Sequence, residues 1–413
     1  MSKSAPTTLA DVCESVRYGY TASASRDPCG PRFLRITDIA PDSLDWNSVP
    51  FCEVNEEDKE RFALAVGDIV VARTGATVGY AKLIREPEDA VFASYLVRFR
   101  VDAKKADPAF VGRLVESKVY KAFVQSRVGG AAQPNASAPV LGSFEFILPS
   151  RRSQSRIADV LSAYDELMAN NRRRMGLLEN AANLLYQEWF VRLRFPGYEH
   201  TPIIQGVPEG WQRKTLGDFI ETEQIHLQTG PFGTQLKASD YTEDGIPVIN
   251  VRNIGYGDLR MEKLEFVPEV IAERLSAHLL REGDIVFGRK GAVDRHLLVT
   301  AVQDGWMQGS DCIRLRALSD AVCPFLLTFA FRQPTHQDWM LGQCGNKATM
   351  ASLNHDVISR ITLMVPSKPI LNEFRLFVAN CLAQMANFSL QNQKIRAARD
   401  LLLPRLMSGE IET

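Results

Sequence analysis

The sequence predicts an α+β protein in which two mixed α/β domains are joined by two long antiparallel coiled-coil helices, the whole forming an internal pseudo-twofold duplication. Three observations carry this prediction. The chain repeats itself at an offset of about 210 residues. Each repeat contains short runs rich in Val, Ile and Phe, broken by Gly, Pro and Asn as strands in a mixed domain are. Each repeat then closes on an apolar seam more than four heptads long.

Thr8-Leu9-Ala10-Asp11 returns as Thr215-Leu216-Gly217-Asp218, and Val66 to Ala76 returns as Glu282 to Ala292. Ser94 to Arg100 returns as Ser310 to Arg316, and Leu148-Pro149-Ser150 as Val365-Pro366-Ser367. The offset grows from 207 to 217 along the chain, which places the extra residues of the second half around Thr229 to Asp244. Strands are expected at Asp68 to Ala72, Tyr95 to Val101 and Phe144 to Leu148, and at Asp284 to Phe287, Cys312 to Leu315 and Ile361 to Val365. The implied boundaries are a first domain over residues 1–152, a helix over 153–193, a linker over 194–210, a second domain over 211–369 and a second helix over 370–409, with Pro404 and Gly409 marking its end.

The helices carry a directional signal. Ile157, Leu161, Tyr164, Met168, Asn171, Met175, Leu178, Ala182, Leu185 and Trp189 alternate at spacings of 4 and 3. So do Phe374, Val378, Cys381, Met385, Phe388, Asn392, Ile395, Arg399, Leu402 and Leu406. A parallel pairing in the repeat's own register sets Asn171 against Phe388 and Asn392 against Met175, leaving two amides unpaired at about 1 to 3 kcal/mol each. An antiparallel pairing with matched ends sets Asn171 against Asn392, Ile157 against Leu406, Leu161 against Leu402 and Trp189 against Phe374. The second register is expected, since a buried Asn pair fixes alignment.

Composition narrows the function. The chain has 413 residues, 45% of them hydrophobic and 23% charged, as core-forming globular proteins do. No apolar run approaches the roughly 20 residues that span a bilayer, and Met1 to Thr8 lacks an apolar export core. Seven scattered cysteines (Cys13, Cys29, Cys52, Cys312, Cys323, Cys344, Cys381) without a Cys-x-x-Cys pair fit a reduced cytoplasm rather than a zinc site. The net charge of −1 excludes a globally basic coat, so nucleic-acid contact requires local patches. All six histidines lie beyond residue 199, so the repeats share no histidine chemistry. Phosphate loops, dinucleotide fingerprints, nucleophile elbows, His-Glu-x-x-His and the Asn/Asp-Pro-Pro-aromatic motif are missing. A binding protein is expected rather than an enzyme, with no cofactor and no metal of its own.

The repeats do share a basic residue after a strand and before a glycine: Arg73-Thr74-Gly75 and Arg289-Lys290-Gly291. A lone strand-end arginine is ordinarily a solvated cap. Its recurrence, with the fork geometry that suits guanine edges and phosphates, makes it a candidate reader. The amide-bearing loops around Gln133 and Asn135, and around Asn346, Lys347 and Thr349, are candidates because Gln and Asn can read adenine, although such loops are also common turns. Lys82, Gln235, Lys237 and Arg252 complete the set. The acidic stretch Glu53 to Glu60 is read as a solvated face.

At these residues the chain resembles the specificity subunits of type I restriction-modification systems. The resemblance rests on Gly-Asp-Ile-Val followed by Arg-x-Gly-Ala, the Gly-rich Gln-Pro-Asn loop, Pro-Ser before a long helix, and Gly230-Pro231-Phe232-Gly233-Thr234-Gln235-Leu236-Lys237 running on to Gly245-Ile246-Pro247-Val248-Ile249. It spans Thr8 to Gly409. The first half departs from it, because the Gly-Pro-Phe-Gly segment is missing between Val12 and Arg32. The resemblance implies two target-recognition domains reading two halves of a double-stranded DNA site. It also implies helices that space the domains and dock two methyltransferase subunits, which bind S-adenosylmethionine, and a separate restriction and translocation subunit. The alternative is a cytoplasmic scaffold whose duplicated domains bind proteins.

Overall fold

The computed structural model describes residues 6–40, 44–128, 134–261, 263–344 and 351–407. The chain forms two compact units, Met1–Arg173 with Phe388–Thr413, and Arg174–Asn387.

The first unit contains β1 (Pro6–Thr8), β2 (Cys13–Tyr18), β3 (Arg32–Leu34), β4 (Asp68–Ala72), β5 (Ala81–Leu83), β6 (Ala90–Phe92), β7 (Leu96–Val101) and β8 (Glu145–Ile147). Its main sheet has the order β2-β7-β4-β5 with every neighbour antiparallel. β3 pairs with β6 in parallel, and β1 with β8 antiparallel. β4 is buried along its whole length because both of its faces are covered. Ile69 and Val71 join a core with Leu9, Phe99, Phe110 and Tyr120, whereas Val70 and Ala72 join Leu34, Ile84 and Phe92 on the other side. A strand covered on both faces reads as a continuous apolar run rather than an alternating one. Asp68 opens it. Its carboxylate, 1% exposed, accepts from the Arg100 Nε and Nη2 at 2.7 Å each and from the Ala65 N–H at 2.8 Å.

The second unit contains β9 (Ile203–Ile204), β10 (Val207–Pro208), β11 (Gln212–Thr215), β12 (Ile225–Thr229), β13 (Ile246–Ile249), β14 (Tyr256–Gly257), β15 (Glu265–Val267), β16 (Ile285–Gly288), β17 (His296–Leu298), β18 (Met307–Gln308), β19 (Cys312–Ala317) and β20 (Thr362–Val365). Its main sheet is β12-β19-β16-β17-β14. The first four strands stand in the same neighbour order as β2-β7-β4-β5, β13 and β18 pair in parallel as β3 and β6 do, and β11 pairs with β20 as β1 does with β8. Asp284 accepts from the Arg316 Nε and Nη2 and from the Arg281 N–H, as Asp68 does from its own three donors. Thr215 and Asp218 exchange the same reciprocal bonds as Thr8 and Asp11. The strands expected from the sequence are all present, shifted by one or two residues at some ends.

Two long helices are formed, Arg151–Tyr186, whose last turn widens into a π-turn over Gln187–Val191, and Lys368–Met407. Pro404 does not end the second one; it lies inside the helix, and Gly409 falls outside the described residues. So close to a helix end, a proline forfeits only its own bond to the carbonyl one turn back, which costs less than mid-helix.

The seam positions are all buried or half-buried, including Leu161, Met168, Asn171, Met175, Leu178 and Leu185 on the first helix and Val378, Met385, Phe388, Asn392, Ile395 and Leu402 on the second. In the first unit Asp165 meets Arg399 at 2.7 Å, and Asn171 meets Asn392 further along, so the two segments run antiparallel. The Asn171 Nδ2 donates to the Asn392 Oδ1 at 3.0 Å, the pairing that the sequence register requires. The Asn392 Nδ2 donates to the Met168 carbonyl at 3.3 Å. Ile157, Leu161, Leu402 and Leu406 pack in the same core. In the second unit Phe374 lies among Tyr186, Trp189 and Phe190, with ring centroids 4.9 to 6.5 Å apart.

Candidate nucleic-acid interface

In each unit the chain leaves the central strand of the main sheet and is clasped at once by a distant loop. In the first, the Ala136 N–H donates to the Arg73 carbonyl at 2.8 Å and the Gly75 N–H to the Pro134 carbonyl at 3.0 Å, while Thr74 and Asn135 form an isolated antiparallel bridge. In the second, the Leu353 N–H donates to the Arg289 carbonyl at 2.8 Å and the Gly291 N–H to the Ala351 carbonyl at 3.0 Å, with Lys290 and Ser352 as the bridge. The turn needs a left-handed residue, and glycine supplies it at both places, φ being 71° at Gly75 and 76° at Gly291. The Arg73 N–H donates to the Tyr95 carbonyl and the Arg289 N–H to that of Asp311, tying each clasp to the neighbouring strand.

The side chains on this common frame differ. In the first unit the Arg73 Nη2 donates to the Asn135 Oδ1 at 3.1 Å, and its guanidinium carbon lies 4.9 Å from the centre of the Tyr18 ring. The Tyr18 hydroxyl accepts from the Ala138 N–H at 2.9 Å, so one ring holds both the arginine and the start of the helix Ala138–Gly142. Tyr18 and Tyr95 are exposed, at 41% and 57%. In the second unit Thr229, Asp311 and Ser352 take the places of Tyr18, Tyr95 and Asn135 in the strand register and clasp. The Lys290 Nζ lies 3.1 Å from the Asp311 carboxylate, and the Thr229 Oγ1 lies 3.1 Å from the His355 Nε2. Burial lowers the His355 pKa, and the charges of His226 and Arg289 push the same way. His226 and His355 also line an open cleft of about 600 Å³ with Glu223 and Asp356.

The remaining candidates are scattered. Gln235 and Lys237 are exposed on the segment after β12. The Gln235 carbonyl accepts from the Arg274 Nη2, and the Lys237 N–H donates to Asp240. Arg252 is paired with Glu265 at 2.7 Å, which offsets its charge. Lys82 is a correction: it is buried on β5, 7% exposed, and does not reach the surface. Gln133, Asn346, Lys347 and Thr349 lie outside the described residues.

Two features escaped the sequence reading. Tyr18 carried no motif of its own. Gly19 supplies the first glycine of the segment expected to be missing from the first half. A Cβ there would sit 2.2 Å from the Ala93 carbonyl oxygen, just as one on Gly230 would sit 1.9 Å from that of Gly309. The Gly19 N–H donates to the Leu96 carbonyl as the Gly230 N–H does to that of Cys312, the counterpart of Leu96. The backbone path of the motif is therefore kept at that glycine, without the Pro-Phe-Gly that follows in the second half.

Residues 1–180 match the type I restriction modification DNA specificity domain family. The chain is 24% identical to the type I restriction enzyme MjaIX specificity subunit of Methanocaldococcus jannaschii, over 84% of this chain and 75% of that one. It is 21% identical to the type I restriction enzyme HindI specificity subunit of Haemophilus influenzae, over 88% and 92%. The crystal structure of a type I restriction-modification S subunit from M. genitalium shares its fold, with a TM-score of 0.55 at 15% identity, covering 98% of this chain and 96% of that one. No described helix is long and apolar enough to cross a membrane.

Proposed function

We propose that this chain, which belongs to the type I restriction-modification specificity subunits and carries their DNA specificity domain at residues 1–180, is a duplicated DNA reader. Each of its units takes one half of a two-part double-stranded target. The observation that carries the reading is the clasp: the backbone bonds around Arg73 recur around Arg289 while the side chains change. A common frame with different functional groups is what two half-sites of different sequence require. Arg73, Thr74 and Asn135 in one unit, and Arg289 and Lys290 in the other, are the proposed contacts, with Gln235 and Lys237 as further exposed candidates of the second unit. Gln133, Asn346, Lys347 and Thr349 belong to the same clasping loops by sequence.

The recognition domains are assigned to residues 1–152 and 211–369, the linker to 194–210 and the spacer helices to 153–193 and 370–409. The helices dock two methyltransferase subunits, which hold S-adenosylmethionine, and the complex takes up restriction and translocation subunits in the cytoplasm. This chain selects sequence and performs no chemistry. Near-zero net charge is compatible with that role when partner subunits supply further phosphate contacts.

The test is a map of methylated adenines in host DNA with and without this gene. A two-part motif that vanishes with the gene supports the reading. Affinity of the assembled complex for a DNA carrying that motif should fall steeply between about 50 and 200 mM salt. A chain that leaves methylation unchanged, and whose binding is indifferent to salt, is the protein scaffold instead.

A further inference from the structure

We infer that Tyr18 is a positioning residue for a guanine read by Arg73, so that the first half-site contains a guanine whose selection depends on the Tyr18 ring. The inference rests on the DNA-reading assignment above and adds a base and a residue to it. An arginine discriminates guanine when two of its N–H groups meet O6 and N7 together, and that demands a guanidinium fixed in plane and direction. A free arginine side chain loses rotamer freedom on being fixed. A side chain already held loses less when it binds.

Arg73 is held on three sides. Its backbone N–H and carbonyl are engaged by Tyr95 and Ala136, the Asn135 Oδ1 fixes the Nη2, and the Tyr18 ring lies under the guanidinium. The Nε is buried and has no partner among the described residues, so a base edge is left the Nη1 and the N–H of Nη2 that Asn135 does not take, donors that can meet O6 and N7 together. The ring itself cannot drift, because its hydroxyl accepts the Ala138 N–H and its strand is paired to β7 at Val97. Exposed aromatic surface at Tyr18 beside the fork also suits contact with a base or its methyl groups. The second unit has Thr229 where Tyr18 stands and Ser352 where Asn135 stands, so Arg289 has neither that ring nor that amide. The two arginines therefore read with different stringency.

The experiment compares the methylated motif produced in cells by the complete complex carrying the wild-type chain, Arg73→Ala, Tyr18→Leu or Tyr18→Phe. The expected result is a guanine in the first half-site of the wild-type motif whose preference is lost with Arg73→Ala. The same position, and no other, should lose at least about fivefold of its preference with Tyr18→Leu. Tyr18→Phe keeps the ring and should keep most of the preference. The second half-site reports in every sample whether the chain has folded and assembled. The inference is overturned if Tyr18→Leu leaves the Arg73-dependent position unchanged, or if it weakens all positions of the half-site alike, as a merely structural residue would. It is overturned equally if Arg73→Ala alters no guanine. Failure of the underlying DNA-reading assignment looks different, since no two-part motif then depends on the wild-type chain at all.

Discussion

Replacing Asn171 with leucine tests the helix register with a magnitude that the geometry supplies. Asn171 is 7% exposed and its Nδ2 is shared between the Asn392 Oδ1 at 3.0 Å and the Gln391 Oε1 at 3.4 Å. Asn171→Leu removes the 3.0 Å donor from a half-buried acceptor, which should cost about 1 to 2 kcal/mol before any gain from added apolar surface. Asn392→Leu should cost less, because the Asn171 Nδ2 keeps Gln391. Replacing both leaves no orphaned amide and should be neutral or stabilising. The two substitutions are therefore strongly coupled, by about 1 to 2 kcal/mol. Hydrogen exchange of the full chain, followed in peptides covering residues 162–175 and 388–399, reads this locally and does not require the whole protein to unfold in one step. Exchange about tenfold faster in Asn171→Leu and restored in the double variant is the expected outcome. Additive effects of the two single substitutions would refute the pairing.

The histidines make stability in the second unit depend on pH. Burial, followed by the charges of Arg332 and His336, pushes His296 down to about 3, and burial pushes His336 down to about 4. Both stay neutral when folded, whereas the unfolded chain takes up protons below about pH 6.5. Stability is therefore full above that pH and falls as the pH drops toward 4, by up to about 1.4 kcal/mol per pH unit for each histidine. The first unit contains no histidine, so exchange protection between pH 6.5 and 5 should drop in the second unit alone; equal slopes in the two would contradict this. Arg73→Ala should weaken binding to one half-site and Arg289→Ala to the other, by about 1 to 3 kcal/mol each where they touch bases, as titration with DNAs altered in one half-site would show. Asp68→Asn keeps the shape but removes the charge facing Arg100, and should cost about 2 to 4 kcal/mol in the first unit, read by its urea midpoint. Inserting one heptad after Leu178 and one after Met385 lengthens each helix by about 10 Å, and the spacer of the methylated motif should grow by about 3 base pairs. An unchanged spacer would remove the helices as the ruler.

Much of the fold was legible because its determinants are local or periodic. β4 and β16 announce themselves as unbroken apolar runs since apolar layers cover both their faces. The helix register was legible because each seam carries a single asparagine, and antiparallel pairing with matched ends sets the two against each other. The site was less legible. The contact of Tyr18 with Arg73 joins residues 55 apart through the strand order β2-β7-β4, and no spacing in the sequence encodes that order. Gly19 was missed for a related reason: it falls where the two halves are offset by 211, between stretches aligned at 207 and 216, so no flanking match points to it. Lys82 carries no signal of burial in its own sequence, since Ala81 and Leu83 flank it as they could in an exposed edge strand. The far side of that sheet is covered, and the lysine is buried there.

On the proposed DNA-reading assignment, the division of labour inside the clasp would let one repeated frame read two different sequences. The bonds that place Arg73 and Arg289 run from backbone to backbone: Ala136 to Arg73, Gly75 to Pro134, Leu353 to Arg289 and Gly291 to Ala351. Such bonds are indifferent to the side chains attached to them, apart from the glycines that supply the left-handed turn. The other end of each strand is also fixed, an aspartate at the strand start being held by an arginine of the neighbouring strand. The frame is thus set by backbone atoms, with the Asp68–Arg100 and Asp284–Arg316 pairs anchoring the strands that carry it. Positions 18, 74, 95 and 135, with their counterparts 229, 290, 311 and 352, are left free to vary. On the proposed assignment, a change there would alter which donors and rings meet DNA while the backbone bonds of the clasp stay in place.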